Sequence, residues 1–467
     1  MTELFMPPMP DRRTARANHT RLIDYVRFFR AMATNPLEIF TSHFYEDPII
    51  VGRAFGFEYI NVYDPEAIRH YLVTNASNYR FDRLRQMVFE PILREGLLVA
   101  QDALWRRTRR AITGVFTPRY VEGLSDIMLE VANRRVAALA TQAPGEIAMA
   151  DEMVDAALDM LLDCMFAPDT PLDRARFTEN LERIFENHSA PHPLDFLNAP
   201  AWIPRSGHKA RARIMQDLHD QLGEIITARR AQMREAGGST EGAKDLLSLL
   251  VGAGAAEGEQ LTDDQIIDNL LTFMAAGHDT SARSLGWTFY LLGQSPHYQR
   301  LVEEELDAVD LGSLPPDKWQ GALPILTAVL KESMRLYPAA GNISRVAVEA
   351  DTLAGTPVKP GVAVATAPWV LHRHKTLWDN PDMFDPARFM GTAADAIHRF
   401  AYLPFGAGPR VCVGASFAMQ EMIILLATYL KAFRFENLGT EPPMPIMQIT
   451  IQPSTALPMG FEPRQYC

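Results

Sequence analysis

The chain is 467 residues long and carries 57 Asp and Glu against 45 Lys and Arg, a formal net charge of −12. That balance favours solubility and excludes nucleic acid as a general partner, because phosphate binding needs a basic face. The three cysteines, Cys164, Cys412 and Cys467, are an odd number in a large chain and make no disulfide framework, which points to a reducing compartment. The N-terminal stretch has no apolar run long enough for a signal peptide or a spanning helix, so the expectation is a soluble, cytoplasmic protein without a membrane anchor. Length alone suggests about three domains. Gly and Pro are scattered, however, and the linker-like run from Gly237 to Gly258 separates segments of one continuous helical pattern. One domain over 1–467 is expected, mainly α with a smaller β-rich part, behind an N-terminal extension over 1–20.

Taken in order, residues 21–40 follow a helical period that ends near Asn35-Pro36. IIVGR and YINVY then read as short strands, and DPEAIRHYLV as a helix with Asp64 as cap and Pro65 at its first position. The β-rich part takes in 41–63 and 343–366. From Asn78 to Val99, Tyr79, Phe81, Leu84, Met87, Val88 and Phe89 stand among arginines with no clean period, which reads as a packed loop with surface arginines. Trp105 and Arg109 lie four apart on one helical face. The basic run WRRTRR that holds them is a solvated helix face or, on an acidic protein, a docking patch. From Ser125 to Arg230 the pattern is that of several amphipathic helices, broken by APDTP and by the proline-rich stretch Pro191 to Pro204. Phe196, Leu197 and Trp202 in that second break suit either a mobile lid or ordinary packing under a loop. His188 and His192 have no acidic or cysteine partner at ligand spacing and receive no chemical role.

The stretch from Leu261 to Pro296 is the clearest helix. Thr262 and Gln265 form a capping box, and Ile266, Leu270, Met274, Ser281, Leu285 and Leu292 make a helical stripe. Its centre, AAGHDTSA, breaks the local rules: Gly277 costs roughly 1 kcal/mol against alanine in a helix interior, and Asp279 and Thr280 put a carboxyl and a hydroxyl into an apolar element. Further on, Glu332 and Arg335 lie three apart on one helical face in KESMRLYP. Residues 344–368 alternate like strands, with turns at Ala354-Gly355 and Pro360-Gly361. His372 and His374 superficially resemble ligands, but a place on the surface, or one supporting a ligand without touching the metal, suits them better. After an amphipathic-to-buried helix from Ala415, TIQPSTALPMGF closes the chain as a hairpin.

The stretch that organises the rest is FGAGPRVCVG, Phe405 to Gly414. Three glycines beside one thiol and one arginine describe a backbone bent for close approach. A cysteine ahead of a helix N-terminus is held as a thiolate, and a thiolate is a ligand.

With Phe405, Gly406, Gly408, Arg410, Cys412 and Gly414 each at a motif position, this stretch resembles the cysteine-ligand loop of the cytochrome P450 family. The motifs from Trp105 to Gly414 stand in family order, and the likeness extends over nearly the whole chain. It implies a cytochrome P450 fold whose long central helix crosses over haem b, and a soluble, bacterial-type haem-thiolate monooxygenase. Cys412 is then the iron ligand. Trp105, Arg109, Arg345 and Arg410 match donors to the haem propionates, and Phe405, Gly406, Gly414, Ala276 and Gly277 match positions against the haem. Asp279 and Thr280 match the acid–alcohol pair that manages protons beside O2, while His278 falls at a variable position. Glu332, Arg335 and Arg388 match a buried supporting triad, with Ala387 where glutamate is frequent. Phe81, Leu84, Met87, Phe89, Phe273, Ala339, Ala340, Ile343 and Leu457 fall at substrate-pocket positions.

The implied reaction inserts one atom of O2 into an apolar organic substrate, a terpenoid, fatty acyl, steroid or aromatic compound. Electrons from NAD(P)H arrive through an acidic ferredoxin or flavodoxin-like donor with its reductase, docking on Arg106 to Arg110 by charge. The rival expectations are a peroxide-driven peroxygenase and a non-catalytic haem-binding sensor.

Overall fold

The computed structural model describes residues 4–12, 28, 30–54, 57–188, 208–235, 245–253 and 260–464. Its strands and longer helices are β1 (Ile49–Ala54), β2 (Phe57–Val62), α1 (Pro65–Arg69), β3 (Tyr79–Arg80), α2 (Arg83–Leu93), α3 (Asp102–Thr113), α4 (Ser125–Ala140), β4 (Gly145–Ala148), α5 (Met149–Met165), α6 (Arg174–His188), α7 (His208–Glu235), α8 (Leu246–Gly252), α9 (Asp263–Gly293), α10 (Pro296–Ala308), α11 (Pro324–Leu336), β5 (Ile343–Ala347), β6 (Asp351–Leu353), β7 (Thr356–Val358), β8 (Ala363–Thr366), α12 (Ala415–Ala432), β9 (Phe433–Asn437), β10 (Pro445–Met447), β11 (Ile451–Pro453) and β12 (Pro458–Pro463). The fold is mainly α with small sheets, as the sequence implies. By internal contacts the chain forms two compact units, Met1–Arg80 with Met128–Leu158 and His278–Cys467, and Phe81–Ile127 with Asp159–Gly277. Residues 21–27 and 29 of the helix expected over 21–40 lie outside the described residues, as do the stretch Pro191 to Pro204, most of Gly237 to Gly258, and Cys467.

The first unit holds the sheets. A five-stranded sheet has the order β1-β2-β8-β5-β3, in which β2 and β8 are parallel and the other neighbours antiparallel. The 41–63 and 343–366 regions meet here through Tyr59 against Ala363 and Arg345 against Val364. Asp64 caps α1 as expected, its Oδ1 accepting the Ala67 N–H at 2.8 Å. The β6–β7 hairpin turns at Ala354 and Gly355, with φ of 43° and 82°. The expected C-terminal hairpin is not formed. β11 pairs with β10, whereas β12 pairs with β4 and β9 in another sheet. The redirection occurs at Leu457, φ 54°, where the Ala456 and Leu457 carbonyls accept the N–H groups of Ala150 and Met149. Part of the N-terminal extension is bound to this unit: Phe384 N–H donates to the Phe5 carbonyl at 2.8 Å, and Arg12 pairs with Asp382 at 2.9 Å. Trp287 of α9, fully buried, stacks on Tyr337 at 3.7 Å in the core.

In the second unit the 78–99 region departs from its expected loop. Arg83–Leu93 is helical with Pro91 inside. Proline removes one helical donor, and the helix ends two residues later at Leu93, just before Arg94 with φ 43°. Arginines interrupt the apolar residues here, which hid the helical period. The start of α9 is as expected: the Gln265 N–H donates to Thr262 Oγ1 and the Thr262 N–H to Gln265 Oε1, both at 3.2 Å. One turn on, Asp268 and Asn269 accept the backbone N–H groups of Glu95 and Leu97 at 3.1 and 2.9 Å. Burial raises the Asp268 carboxyl above its ordinary value.

Candidate functional site

The loop from Phe405 to Gly414 is built on two left-handed glycines, Gly406 and Gly408, each with φ of 73°. A Cβ at Gly408 would lie 1.8 Å from the Leu72 carbonyl oxygen, so backbone crowding as well as φ demands glycine there. Gly408–Arg410 forms a single 3-10 turn, and the Cys412 N–H donates to the Phe405 carbonyl at 2.9 Å, closing the loop. Cys412 is exposed and stands three residues before α12, whose N-terminal end carries the positive pole of the helix dipole. Most of α12 behind it is buried, including Phe417 and every residue from Met419 to Ala427.

Helix α9 is buried from Gln265 to Met274 and again at most positions from Ser281 to Leu292, but accessible from Ala275 to Thr280. Within the first unit, this accessible centre is bounded by polar contacts. Asp279 Oδ1 accepts Arg283 Nε at 3.0 Å, and its Oδ2 accepts the Thr450 hydroxyl at 2.6 Å. Ser284 donates its hydroxyl to the Thr280 carbonyl at 2.9 Å. Ser281 donates to Glu421 of α12 at 2.8 Å. Glu421 is only 2% exposed, and burial pushes its carboxyl up to about 8, leaving it mostly protonated at neutral pH. Neither Glu421 nor Thr450 was found in the sequence. Glu421 is the one charged residue in the helical run from Ala415 to Leu426, nine residues after Cys412, which was the available signal.

The support behind the loop is a dense buried network. Arg335 grips Glu332 through two bonds of 2.6 and 2.8 Å, both side chains being fully buried. It also donates to the carbonyls of His372, Pro381 and Met383. Arg388 Nε stands 3.5 Å from Glu332 Oε1. His372 and His374 are fully buried, so the surface option for them fails. Burial and the adjacent Arg335 guanidinium lower His372 to about 3, keeping the ring neutral. Its Nε2 accepts the Leu403 N–H at 2.8 Å and its Nδ1 faces the Arg335 carbonyl at 3.2 Å. A continuous path of hydrogen bonds thus runs from α11 through His372 to Leu403, two residues before Phe405.

Arg345 on β5 is 8% exposed and donates to the Ser344 carbonyl at 2.7 Å. Ala340 is exposed, Ala339 and Ile343 are half-buried, and Leu457 is buried against Gly286. Ala340 forms an isolated bridge with Thr450. The first unit therefore carries Cys412, Phe405, Gly406, Arg410, Gly414, Arg345, Asp279, Thr280 and the Glu332–Arg335–Arg388 group. It also carries Ala339, Ala340, Ile343 and Leu457, and the second unit carries the remaining sequence-derived positions. Trp105 and Arg109 are half-buried one turn apart on α3, while Arg106, Arg107 and Arg110 are exposed. Gly277 packs so closely that a Cβ would lie 3.1 Å from Leu161 Cδ2. Phe81 is buried, Met87 and Phe89 are half-buried, and Phe273 meets Phe116 edge-on at 5.0 Å. The side chain of Leu84 lies outside the described residues.

Beside the loop, a cleft of about 750 Å³ in the first unit is lined by Phe405, Gly406, Gly408 and Val411, with Arg69, Lys331 and Arg399 among its other walls.

An accessible thiol on a glycine-bent loop suits an iron whose remaining donors come with its own macrocycle, and Arg345 and Arg410 supply cations for the acidic groups of such a ligand. These features fit the haem-thiolate class of protein. The family model described as Cytochrome P450 matches residues 33–458, and the chain belongs to that family of haem-containing monooxygenase oxidoreductases. Similar proteins include Cytochrome P450 4V2 of Homo sapiens, 30% identical over 82% of this chain and 75% of that one. Protein LUTEIN DEFICIENT 5, chloroplastic, of Arabidopsis thaliana is 29% identical over 83% of this chain and 67% of that one. Cytochrome P450 4B1 of Rattus norvegicus is 28% identical over 89% and 83% respectively. These three relatives are animal and plant proteins rather than bacterial ones. The crystal structure of the cytochrome P450DA heme domain has the same fold, with a TM-score of 0.78 over 99% of this chain and 98% of that one at 24% identity. Among the described residues no helix is long and apolar enough to cross a membrane.

Proposed function

We propose that this chain inserts one oxygen atom from O2 into an apolar organic substrate, with electrons delivered by a separate redox protein. The observation that carries this reading is the pairing, in one unit, of the Cys412 loop with an accessible Asp279–Thr280 step in a helix otherwise mostly buried. Cys412 is the iron ligand. When bound, haem supplies the oxygen-activating chemistry, and the chain's own residues orient it, exclude water and handle protons. Trp105, Arg109, Arg345 and Arg410 hold the propionates; Ala276, Gly277, Phe405, Gly406 and Gly414 lie against the macrocycle. Thr280 holds a proton at its hydroxyl beside the reacting oxygen, and Asp279, part-exposed and salt-bridged to Arg283, exchanges protons with solvent. The Glu332–Arg335–Arg388 network and neutral His372 keep the loop rigid, so that the thiol position does not drift.

The substrate contacts proposed are Phe81, Leu84, Met87, Phe89, Phe273, Ala339, Ala340, Ile343 and Leu457. The donor is an acidic ferredoxin or flavodoxin-like protein that draws on NAD(P)H through its reductase. Exposed Arg106 and Arg107 support a charge-steered docking surface. A soluble, cytoplasmic setting goes with this scheme.

Turnover tests separate the scheme from its rivals. Product formation with NAD(P)H and redox partners supports it; product with peroxide alone identifies a peroxygenase, and haem binding without any turnover a sensor. Cys412→Ser abolishes the thiolate spectrum of the reduced carbonyl complex if Cys412 is the ligand, and survival of that spectrum refutes the assignment.

A further inference from the structure

We infer that Thr450 is a positioning residue for Asp279, fixing the carboxyl that the proposed proton pathway uses and tying it to the 339–343 segment. The inference rests on the acid–alcohol reading of Asp279 and Thr280. Its basis is the way both carboxylate oxygens are held. Arg283, one turn along α9, binds Oδ1 at 3.0 Å, and Thr450, arriving from the turn between β10 and β11, binds Oδ2 at 2.6 Å. An arginine on the same helix moves with Asp279 and restrains it weakly, because both side chains are part-exposed at 20% and 26%. Thr450 is 5% exposed and comes from a different element, so it defines where the carboxyl points.

The turn that carries Thr450 is pinned without its hydroxyl. The Gln448 N–H donates to the Thr450 carbonyl at 2.9 Å, the Ile451 N–H to the Ala339 carbonyl at 3.2 Å, and Trp287 Nε1 to the Ile451 carbonyl at 3.1 Å. Among the described residues the Thr450 side chain makes one hydrogen bond, the one to Asp279. Removing the hydroxyl therefore releases the carboxyl and leaves the turn in place. Because Thr450 also bridges Ala340, a shift of the 339–343 segment moves the donor that holds Asp279. Occupation of a pocket against that segment and the readiness of the proton pathway then become coupled through one side chain.

The test uses the haem-loaded full chain with Thr450→Val, Thr450→Ser, Asp279→Ala and the double variant Thr450→Val/Asp279→Ala. Thermal midpoints report the contact independently of activity. Thr450→Val is expected to lower the midpoint in the wild-type background and to add no further loss beside Asp279→Ala, while Thr450→Ser restores it; additive losses would overturn the contact. The second readout is the peroxide released per NADPH consumed, without added substrate, using a plant-type ferredoxin and its reductase as electron source, together with the solvent isotope effect. Asp279→Ala should raise both. Thr450→Val should follow it, with proton-limited turnover slower by about tenfold or more, as expected for losing one hydrogen bond to a charged group, and Thr450→Ser should match wild type. If Asp279→Ala changes neither quantity, the acid–alcohol reading itself fails. If Asp279→Ala changes them and Thr450→Val does not, that reading stands and the positioning role of Thr450 is refuted.

Discussion

Replacing Glu421 by glutamine should change how stability depends on pH, and the sign follows from the structure. Burial pushes this carboxyl from its ordinary 4.5 up to about 8 in the folded protein. Between those values the folded state keeps a proton that the unfolded state has lost. Stability from this group is therefore fully present below pH 4.5, declines as pH rises, and levels off above pH 8. The slope for one proton is about 1.4 kcal/mol per pH unit, or on the order of 4 kcal/mol between pH 5 and pH 8. Glutamine is neutral throughout and still accepts the Ser281 hydroxyl, so its own contribution has no such slope. Urea unfolding followed by circular dichroism at pH 5, 6, 7 and 8 gives the difference between wild type and Glu421→Gln directly, with all other titrating groups cancelling. The variant should be close to wild type at pH 5 and gain on it steadily towards pH 8. Parallel curves, with a constant difference across the range, would show that Glu421 is ionised in the folded protein and refute the reasoning.

Arg335→Lys should destabilise the chain by about 3–5 kcal/mol, because an ammonium cannot hold both Glu332 oxygens and three carbonyls together, and a buried carboxylate is left poorly paired; chemical denaturation and haem retention on gel filtration measure it. In the haem-free chain Gly408→Ala should be strongly destabilising, since its Cβ would meet the Leu72 carbonyl at 1.8 Å, whereas Gly406→Ala, with the same φ and no protein atom within 4 Å of its Cβ, should cost only about 1–2 kcal/mol in urea unfolding. Equal effects of the two alanines would refute the crowding argument. Reversing Arg106 and Arg107 to glutamate should slow reduction by an acidic donor and flatten its salt dependence while leaving ligand-induced spectral shifts unchanged; unaltered reduction kinetics would remove that surface from consideration.

What the sequence made legible was local chemistry carried by short-range pattern. The capping box of Thr262 and Gln265, the Asp64 cap and the Ala354-Gly355 turn involve residues within a few positions of one another, and each formed as written. The cysteine loop was legible for the same reason. Misreadings came where geometry depends on distant partners. Residues 83–93 showed no period because arginines break the apolar stripe, yet they are helical. The two halves of 450–461 looked like one hairpin because each has strand character, but their pairing partners lie elsewhere, at β10 and at β4 with β9.

Three buried polar groups whose partners the sequence did not reveal share a further property. Glu421, Thr450 and His372 take on their roles only through a partner about 30 to 170 residues away: Ser281, Asp279 and Leu403. All three are buried, where an unpaired polar group costs about 1–3 kcal/mol, so each must have a specific counterpart in the fold. Two of the three end within one turn of α9, at Asp279 and Ser281 on either side of Thr280, and the third ends on the approach to Cys412. Burial thus concentrates the costly contacts around the two elements that the short motifs had already marked, which is the expected arrangement when a site must hold its geometry more rigidly than the chain around it.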